Sequence, residues 1–447
     1  MGLFGTDGIR GIAGHFPLEK SLIRKLGAAA AAVYRQHVPD RKPVFLLGRD
    51  TRGSGPWIAK AFAEGAASQG VEIRDAGIIS TPSLAFLVPR RKALGGAMIS
   101  ASHNPAEFNG IKLFNPRGRK CPDAWEQLIE KRIADMPPPP AVKARLRKDP
   151  TAVKEYLSFL RRTLPPRTSF KGLTLVVDCS HGSLSRIAPA FLRSLGAKVF
   201  AIGAAPTGRN INAGWGSQQP EKMQRMVLSR KADGGMAFDG DADRIVLCDE
   251  LGRLLDGDFI LACIAHSLKE DKRLTGNTVV VTVMANLGLM KALASWQVQT
   301  LATPVGDRYV SDMLEERGCV IGGEQSGHII FHEHLPTGDG LLTGLQVLSM
   351  LRKRKRPLSW VYSLFKRYPQ VLLNVHVKEK KPLEDCPAIQ REIENARIEL
   401  ADQGRVLVRY SGTEPLLRIM MEGPDEARLK TLAGGIAVCA REALGAA

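Results

Sequence analysis

The sequence predicts an α/β protein in which repeated α/β domains are followed by a smaller α+β domain. Three observations carry that expectation. The chain has 447 residues, too many for one hydrophobic core. Three widely spaced segments share one grammar: an apolar strand, a Gly-rich or polar loop, then a helix. Near Pro357 to Pro369 the pattern changes, and the remainder reads as strand, helix, strand, strand, helix.

The first segment is the strand Pro43–Gly48, the loop Arg49–Gly55 and an Ala-rich helix. The second is Leu173–Asp178, then Cys179–Gly182, then a helix over about 186–195. The third is Thr278–Val283, then Met284–Gly288 and a helix. Continuous apolar strands alternating with helices predict sheets covered on both faces. A repeat this long indicates repeated domains rather than a solenoid. The four-proline run Pro137–Pro140 cannot continue a helix and marks a break. The Leu251-Gly252-Arg253 turn marks a second. With the change of pattern after Pro357, these breaks predict domains at 1–150, 151–254, 255–368 and 369–447. The last domain carries strands at Arg405–Tyr410 and Leu416–Met421.

Composition excludes several classes. Hydrophobic residues make up 44%, and no apolar run nears the roughly 20 residues that span a bilayer. No basic-then-apolar start is present, so no secretory signal and no membrane partner are expected. Seven cysteines are scattered singly without a Cys-x-x-Cys pair. That argues against a zinc ribbon or disulfide framework and points to a reducing cytoplasm. The net charge is +18, with clusters at Arg90–Lys92, Lys143–Lys148 and Arg352–Arg356. They lie far apart in sequence and lack interleaved aromatics, so they read as solvated surface and no nucleic-acid partner is expected.

The chemistry-bearing residues lie in loops. Ser100-Ala101-Ser102-His103-Asn104-Pro105 follows the apolar stretch Gly95–Ile99. A hydroxyl beside an imidazole, on a loop after a strand, suits a nucleophile or phosphate carrier. A plain turn is the alternative, since Ser, Asn and Pro favour turns. The Gly-x-Ser-x-Gly frame of a hydrolase elbow is absent. Asp239-Gly240-Asp241-Ala242-Asp243-Arg244 alternates three carboxylates with small residues. In an extended loop, alternate side chains share one side, and three like charges there point to a hard cation such as Mg²⁺, with a solvated acidic turn as the alternative. An EF-hand loop is disfavoured because its sixth position, which needs Gly, is Arg244.

Gly322–His328 frames Glu324, Ser326 and His328 between glycines, a set that suits hydrogen bonding to sugar hydroxyls or a simple turn. Arg409–Pro415, with Arg418 beyond it, combines hydroxyls, loop amides and two arginines, which make a phosphate cradle or a β-hairpin connection. Phe4–Gly11 is Gly-rich and carries Arg10. Asn109-Gly110-Ile111-Lys112 places Lys112 ten residues after Ser102, where it could stabilise charge or, with a lowered pKa, move protons.

In this order, from Phe4 to about Gly423, these motifs together resemble the α-D-phosphohexomutase superfamily. The opening Phe4–Gly11 and Thr337-Gly338-Asp339-Gly340 favour its glucosamine-phosphate branch over the mannose and glucose branches, which are the alternative. The resemblance implies three related α/β domains with mixed sheets and a C-terminal phosphate-binding domain around a central cleft. It implies a phosphate carried on Ser102, and one Mg²⁺ per subunit held by Asp239, Asp241, Asp243 and a phosphoserine oxygen. Glu324, Ser326 and His328 contact the sugar, joined by the matching loop residues Gly306, Asp307 and Arg308. Arg409, Ser411, Gly412, Thr413 and Arg418 hold the phosphate that is not being transferred. Arg10, His103, Lys112 and Arg244 are the candidates for charge stabilisation or proton transfer. The implied reaction interconverts glucosamine 6-phosphate and glucosamine 1-phosphate through a 1,6-bisphosphate, feeding UDP-N-acetylglucosamine synthesis, in a monomer or homodimer. The stretch Gly214–Pro220 matches the family pattern less closely.

Overall fold

Leu46, Leu47 and their neighbours form a strand, Lys42–Arg49, that lies inside a six-stranded sheet, as a continuous apolar run requires. The computed structural model describes residues 2–5, 7–140, 142–411 and 415–445. In the first sheet the strands run in the order Ile9–Ile12, Phe108–Phe114, Ala93–Ile99, Lys42–Arg49, Glu72–Ile78, Leu146–Lys148. The middle strands pair in parallel, whereas Phe108–Phe114 is antiparallel to both of its neighbours. That reversal carries the chain from the Ser102 loop straight back through Lys112.

A second sheet is ordered Leu254–Leu255, Ile245–Asp249, Gly234–Phe238, Thr174–Asp178, Lys198–Ile202. Its antiparallel pair, Gly234–Phe238 with Ile245–Asp249, is joined by the acidic loop 239–244. A third sheet is ordered Gln299–Thr303, Thr278–Thr282, Ile321–Gly323, Ile329–Phe331, and its last antiparallel pair is joined by the loop 324–328. In each case a loop between sheet-held strands presents the polar residues. A fourth, antiparallel sheet of Gln370–His376, Leu416–Glu422 and Arg405–Tyr410 is backed by helices Pro387–Leu400 and Glu426–Leu444. All three sheets of α/β type are mixed, and the four-part element pattern agrees with that predicted.

The contacts divide the chain into two units, 1–284 with 298–364, and 285–297 with 365–447. The helix that the third strand-loop-helix segment predicts, observed at Leu287–Ser295, therefore belongs with the C-terminal unit. Glu422 explains this. Its fully buried carboxylate accepts from Asn286 Nδ2 at 3.0 Å, Leu287 N at 3.2 Å and Gln370 Nε2 at 3.0 Å, and pairs with Arg405. A buried acid must satisfy its oxygens, and here the helix N-terminus supplies two of the donors. Within the first unit, helices Lys20–His37 and Gly55–Ser68 cross closely at two glycines. A Cβ on Gly65 would lie 1.9 Å from Arg24 O, and one on Gly27 would lie 2.2 Å from Phe62 O. Among the described residues no helix is long and apolar enough to cross a membrane.

Candidate active site

The buried strand Ala93–Ile99 delivers the chain to Ser102, which is 1% exposed and adopts a left-handed backbone with φ of 50°. Its amide donates to Ser100 Oγ at 2.9 Å. Its hydroxyl donates to Asp239 Oδ2 at 2.5 Å and lies 3.4 Å from His103 Nδ1. Burial, then Arg244 and Arg10, pull His103 down to about 4, so its imidazole is neutral at physiological pH.

Asp239, Asp241 and Asp243 are all buried, each offering an oxygen within 4.8 Å of the others. The hairpin bends tightly enough to gather them because Ala242 takes φ of 60° and Gly240 has no side chain. A Cβ on Gly240 would lie 2.6 Å from Ser102 O, so glycine here lets the acidic loop press against the serine loop. Burial, then Asp243 and Asp241, push Asp239 well above the usual carboxylate range. Asp241 Oδ1 and Asp243 Oδ1 are buried without a hydrogen-bond partner among the described residues. Three converging carboxylates with two orphaned oxygens fit a hard divalent cation with oxygen ligands, such as Mg²⁺.

Around this cluster lies a ring of cations. Lys112 Nζ lies 2.8 Å from Asp241 Oδ2, 2.9 Å from Asp7 Oδ2 and 3.4 Å from Asp243 Oδ2. Burial lowers its pKa, but Asp241, Asp7 and Asp243 outweigh that and raise it well above the ordinary lysine value. Lys112 is thus a fixed positive charge rather than a base. Arg10 pairs with Asp7 and donates to Asn104 Oδ1 at 3.2 Å. Arg244 is held charged, against burial, by Asp243, Asp239, Glu324 and Asp307. Of the expected charge-stabilising and proton-transfer residues, the structure brings Arg10, His103, Lys112 and Arg244 to one place with Ser102.

The sugar-loop residues meet the same centre from the third sheet. Glu324 Oε1 accepts from Gly306 N at 2.9 Å and Oε2 from Ser326 Oγ at 3.1 Å. His328 accepts from Gly338 N at Nε2, 2.9 Å, which leaves Nδ1 to carry the proton, 3.8 Å from Asp243 Oδ2. Asp307 lies at the first turn of helix Asp307–Arg317 and pairs with Lys120 at 2.6 Å. Arg308 is engaged elsewhere, by Asp123 and by Glu126 at 3.1 Å. Beside it is a cavity of about 610 Å³ lined by Lys120, Trp125, Asp307, Arg308 and His328 among others.

In the second unit, Arg409 and Arg418 stand directly opposite each other on the antiparallel strands Arg405–Tyr410 and Leu416–Glu422. Burial and then Arg418 lower the pKa of Arg409. Ser411 is buried; its amide donates to Leu416 O at 2.8 Å, and its carbonyl accepts from Lys380 Nζ at 2.7 Å. Gly412 and Thr413 lie outside the described residues.

Sequence reasoning missed several polar residues here. Asp7 joins Arg10, Lys112 and Lys120. Thr81 binds Asp241 twice, through its amide at 3.0 Å and its hydroxyl at 2.5 Å. Arg52 is 1% exposed and paired with Asp50 at 2.9 Å; it donates to the Ser102 carbonyl at 3.0 Å, as does Asn212 at 2.8 Å. The signal for Asp50 and Arg52 was present, two opposite charges directly after an apolar strand. Asn212 carried none, since it reaches the site only through folding.

Comparison with known proteins agrees along the whole chain. Four family profiles of phosphoglucomutase/phosphomannomutase match: alpha/beta/alpha domain I over residues 1–137, domain II over 154–252, domain III over 256–368, and the C-terminal domain over 372–437. The chain is 46% identical over 447 residues to a phosphoglucosamine mutase of Symbiobacterium thermophilum, covering 99% of both. It is 42% identical to a phosphoglucosamine mutase of Anaeromyxobacter sp. (strain Fw109-5), covering 99% of this chain and 96% of the relative. A crystal structure of a phosphoglucomutase/phosphomannomutase family protein from Burkholderia thailandensis shares the fold. It shows 22% identity and a TM-score of 0.82, over 99% of this chain and 97% of that one.

Proposed function

The chain belongs to the phosphoglucomutase/phosphomannomutase family, and from that premise we propose that it is a phosphoglucosamine mutase working through a phosphorylated Ser102. The observation that carries the reading is the Ser102 hydroxyl, 2.5 Å from a carboxylate of a buried triad with orphaned oxygens. Such a hydroxyl is placed to carry a phosphoryl group beside a cation site. The high identity to phosphoglucosamine mutases supports the substrate class.

In the first half-reaction the C1 hydroxyl of glucosamine 6-phosphate attacks phosphoserine. The new O1–P bond forms as the P–Oγ bond breaks, giving the 1,6-bisphosphate and Ser102. In the second, Ser102 Oγ attacks the C6 phosphate; glucosamine 1-phosphate leaves and phosphoserine is restored. Lys112, Arg10 and Arg244 stabilise charge on the transferring oxygens, where fixed cations in a water-poor site act strongly. His103, neutral and 3.4 Å from Oγ, is the group suited to accept a hydroxyl proton. Asp239, Asp241 and Asp243 would hold one Mg²⁺, whose charge offsets that on the phosphoryl oxygens. Glu324, Ser326 and His328 recognise the sugar, with Gly306 and Asp307 shaping their loop and Arg308 tying that loop to Asp123 and Glu126. Arg409, Ser411 and Arg418, with Gly412 and Thr413, bind the non-reacting phosphate; Arg409 and Arg418 stand opposite each other on paired strands.

The matched family segments support domain limits at 1–150, 151–254, 255–368 and 369–447. Seven cysteines without a disulfide accord with a reducing cytoplasm.

The test supplies purified protein with glucosamine 6-phosphate, Mg²⁺ and a trace of hexose 1,6-bisphosphate, and measures glucosamine 1-phosphate. Glucose and mannose phosphates run in parallel. Turnover should favour the amino sugar; a preference for mannose or glucose phosphate would overturn the substrate assignment.

A further inference from the structure

The Ser102 backbone is held on every polar atom. Its amide is taken by Ser100 Oγ, whose own hydroxyl donates to Asp50 Oδ2 at 2.6 Å. Its carbonyl receives two donors, Arg52 Nη2 at 3.0 Å and Asn212 Nδ2 at 2.8 Å. The same two nitrogens also reach a second carbonyl of the loop, Asn104 O, at 2.8 and 2.9 Å. Arg52 further donates to Phe108 O at 2.9 Å and to Pro105 O.

The duplication has a structural source. Arg52 comes from the loop after the Lys42–Arg49 strand of the first sheet, and Asn212 from the loop that follows Lys198–Ile202 in the second. Those loops are themselves stitched together. Gly53 N donates to Gly208 O at 2.9 Å, and Thr51 Oγ1 donates at 2.5 Å to His181 O in the neighbouring loop after Thr174–Asp178. Gly240, from the acidic loop, closes the remaining side against Ser102 O.

A serine in the left-handed region costs free energy, and such a residue persists only where its surroundings over-determine it. Here two side chains from two sheets converge on the same pair of carbonyls. The only polar atom of Ser102 left for chemistry is Oγ, aimed at Asp239. We propose that Arg52 and Asn212 are positioning residues, a double clamp that holds Ser102 Oγ at a fixed place relative to the acidic loop. The inference rests on Ser102 as the reacting group. The clamp touches neither substrate nor transferring phosphate; it sets the direction of attack. Misplacing a reacting atom by about an ångström costs on the order of a hundredfold in rate while leaving ground-state binding largely intact.

Asn212 offers the cleaner test because it is half-buried and already has φ of 60°. Asn212→Gly removes both donated bonds without straining the backbone, and Asn212→Asp keeps the shape but replaces the donor with an acceptor. Both should lower kcat about ten- to a hundredfold with KM changed less than about threefold. The thermal midpoint and the phosphate content of Ser102 should stay near those of the parent protein. Arg52→Lys, which cannot span several carbonyls, should lose more. A parent-like kcat in both Asn212 variants would overturn the clamp. So would a rise in KM at constant kcat, or a kcat loss that follows a lowered thermal midpoint. The parent protein serves as the control: if it does not turn over glucosamine phosphates, the substrate reading fails, and the clamp is read on whichever hexose phosphate it does turn over. If peptide mass spectrometry finds no phosphate on parent Ser102, both readings fall.

Discussion

The centre around Ser102 and the strand pair around Arg409 solve opposite electrostatic problems. Around Ser102 the charges alternate in sign and most are buried: the buried Asp239, Asp241 and Asp243 face the buried Lys112 and the partly exposed Arg244. Around Arg409 the charges are alike and half-exposed, Arg409 facing Arg418 across the sheet. Buried opposite charges are costly to rearrange and so hold atoms at fixed places. Like charges on a partly solvated strand face raise the local attraction for anions without prescribing one geometry. A group that must attack in line suits the first environment. On the proposed reading, a grip that accepts either end of a bisphosphate would suit the second.

The largest effect expected is at Ser102. Ser102→Ala should abolish turnover and remove the phosphate increment from its tryptic peptide; near-normal turnover would end the phosphoenzyme account. Next is the acidic loop. Asp241→Asn removes a charge that Lys112 and Thr81 both bind, and leaves a cation one carboxylate short. A loss of roughly a hundredfold or more is expected. Chelation should inactivate the parent protein reversibly, with activity restored by added Mg²⁺. A variant with the parent's metal dependence would show that Asp241 is not a ligand.

A smaller loss is expected in the C-terminal pair. Arg418→Ala should weaken glucosamine 6-phosphate and glucosamine 1-phosphate alike, because the proposed cradle would serve both. A charge-assisted bond is worth about 1.5–3 kcal/mol, so roughly ten- to a hundredfold is the expected loss in each direction. More free bisphosphate should escape during turnover. A loss confined to one direction would break the contrast drawn between the two regions. Smallest is Glu324→Gln. Removing this charge should reduce the preference for amino sugar over glucose by several-fold, read as a ratio of kcat/KM values. An unchanged ratio would place selection on other residues.

Much of this was readable in the linear chain. Apolar strands followed by polar loops located the three α/β sheets, and the side-chain chemistry of those loops, read together with the family resemblance, singled out Ser102, the Asp239–Asp243 loop and the Glu324–His328 loop. These features are local: a run of apolar residues, a Gly between acids, a Pro after Asn. The ownership of the Leu287–Ser295 helix was not readable, because it depends on Glu422, 136 residues from Asn286. Arg308 resembled a substrate contact by its motif, yet its guanidinium is engaged by Asp123 and Glu126, a pairing across 182 residues or more.

The residue types of the candidate site and their order are legible in the sequence because each motif is a short local run, and it is their combination along the chain that sets them apart from plain turns. Which groups support them is not legible there. Thr81 under Asp241, Lys120 between Asp7 and Asp307, and Arg52 with Asn212 beneath Ser102 are each joined across distant parts of the chain. Such partners are ordinary polar residues in sequence. Only burial, which makes an unpaired donor or acceptor expensive, turns them into the fixed frame of the centre.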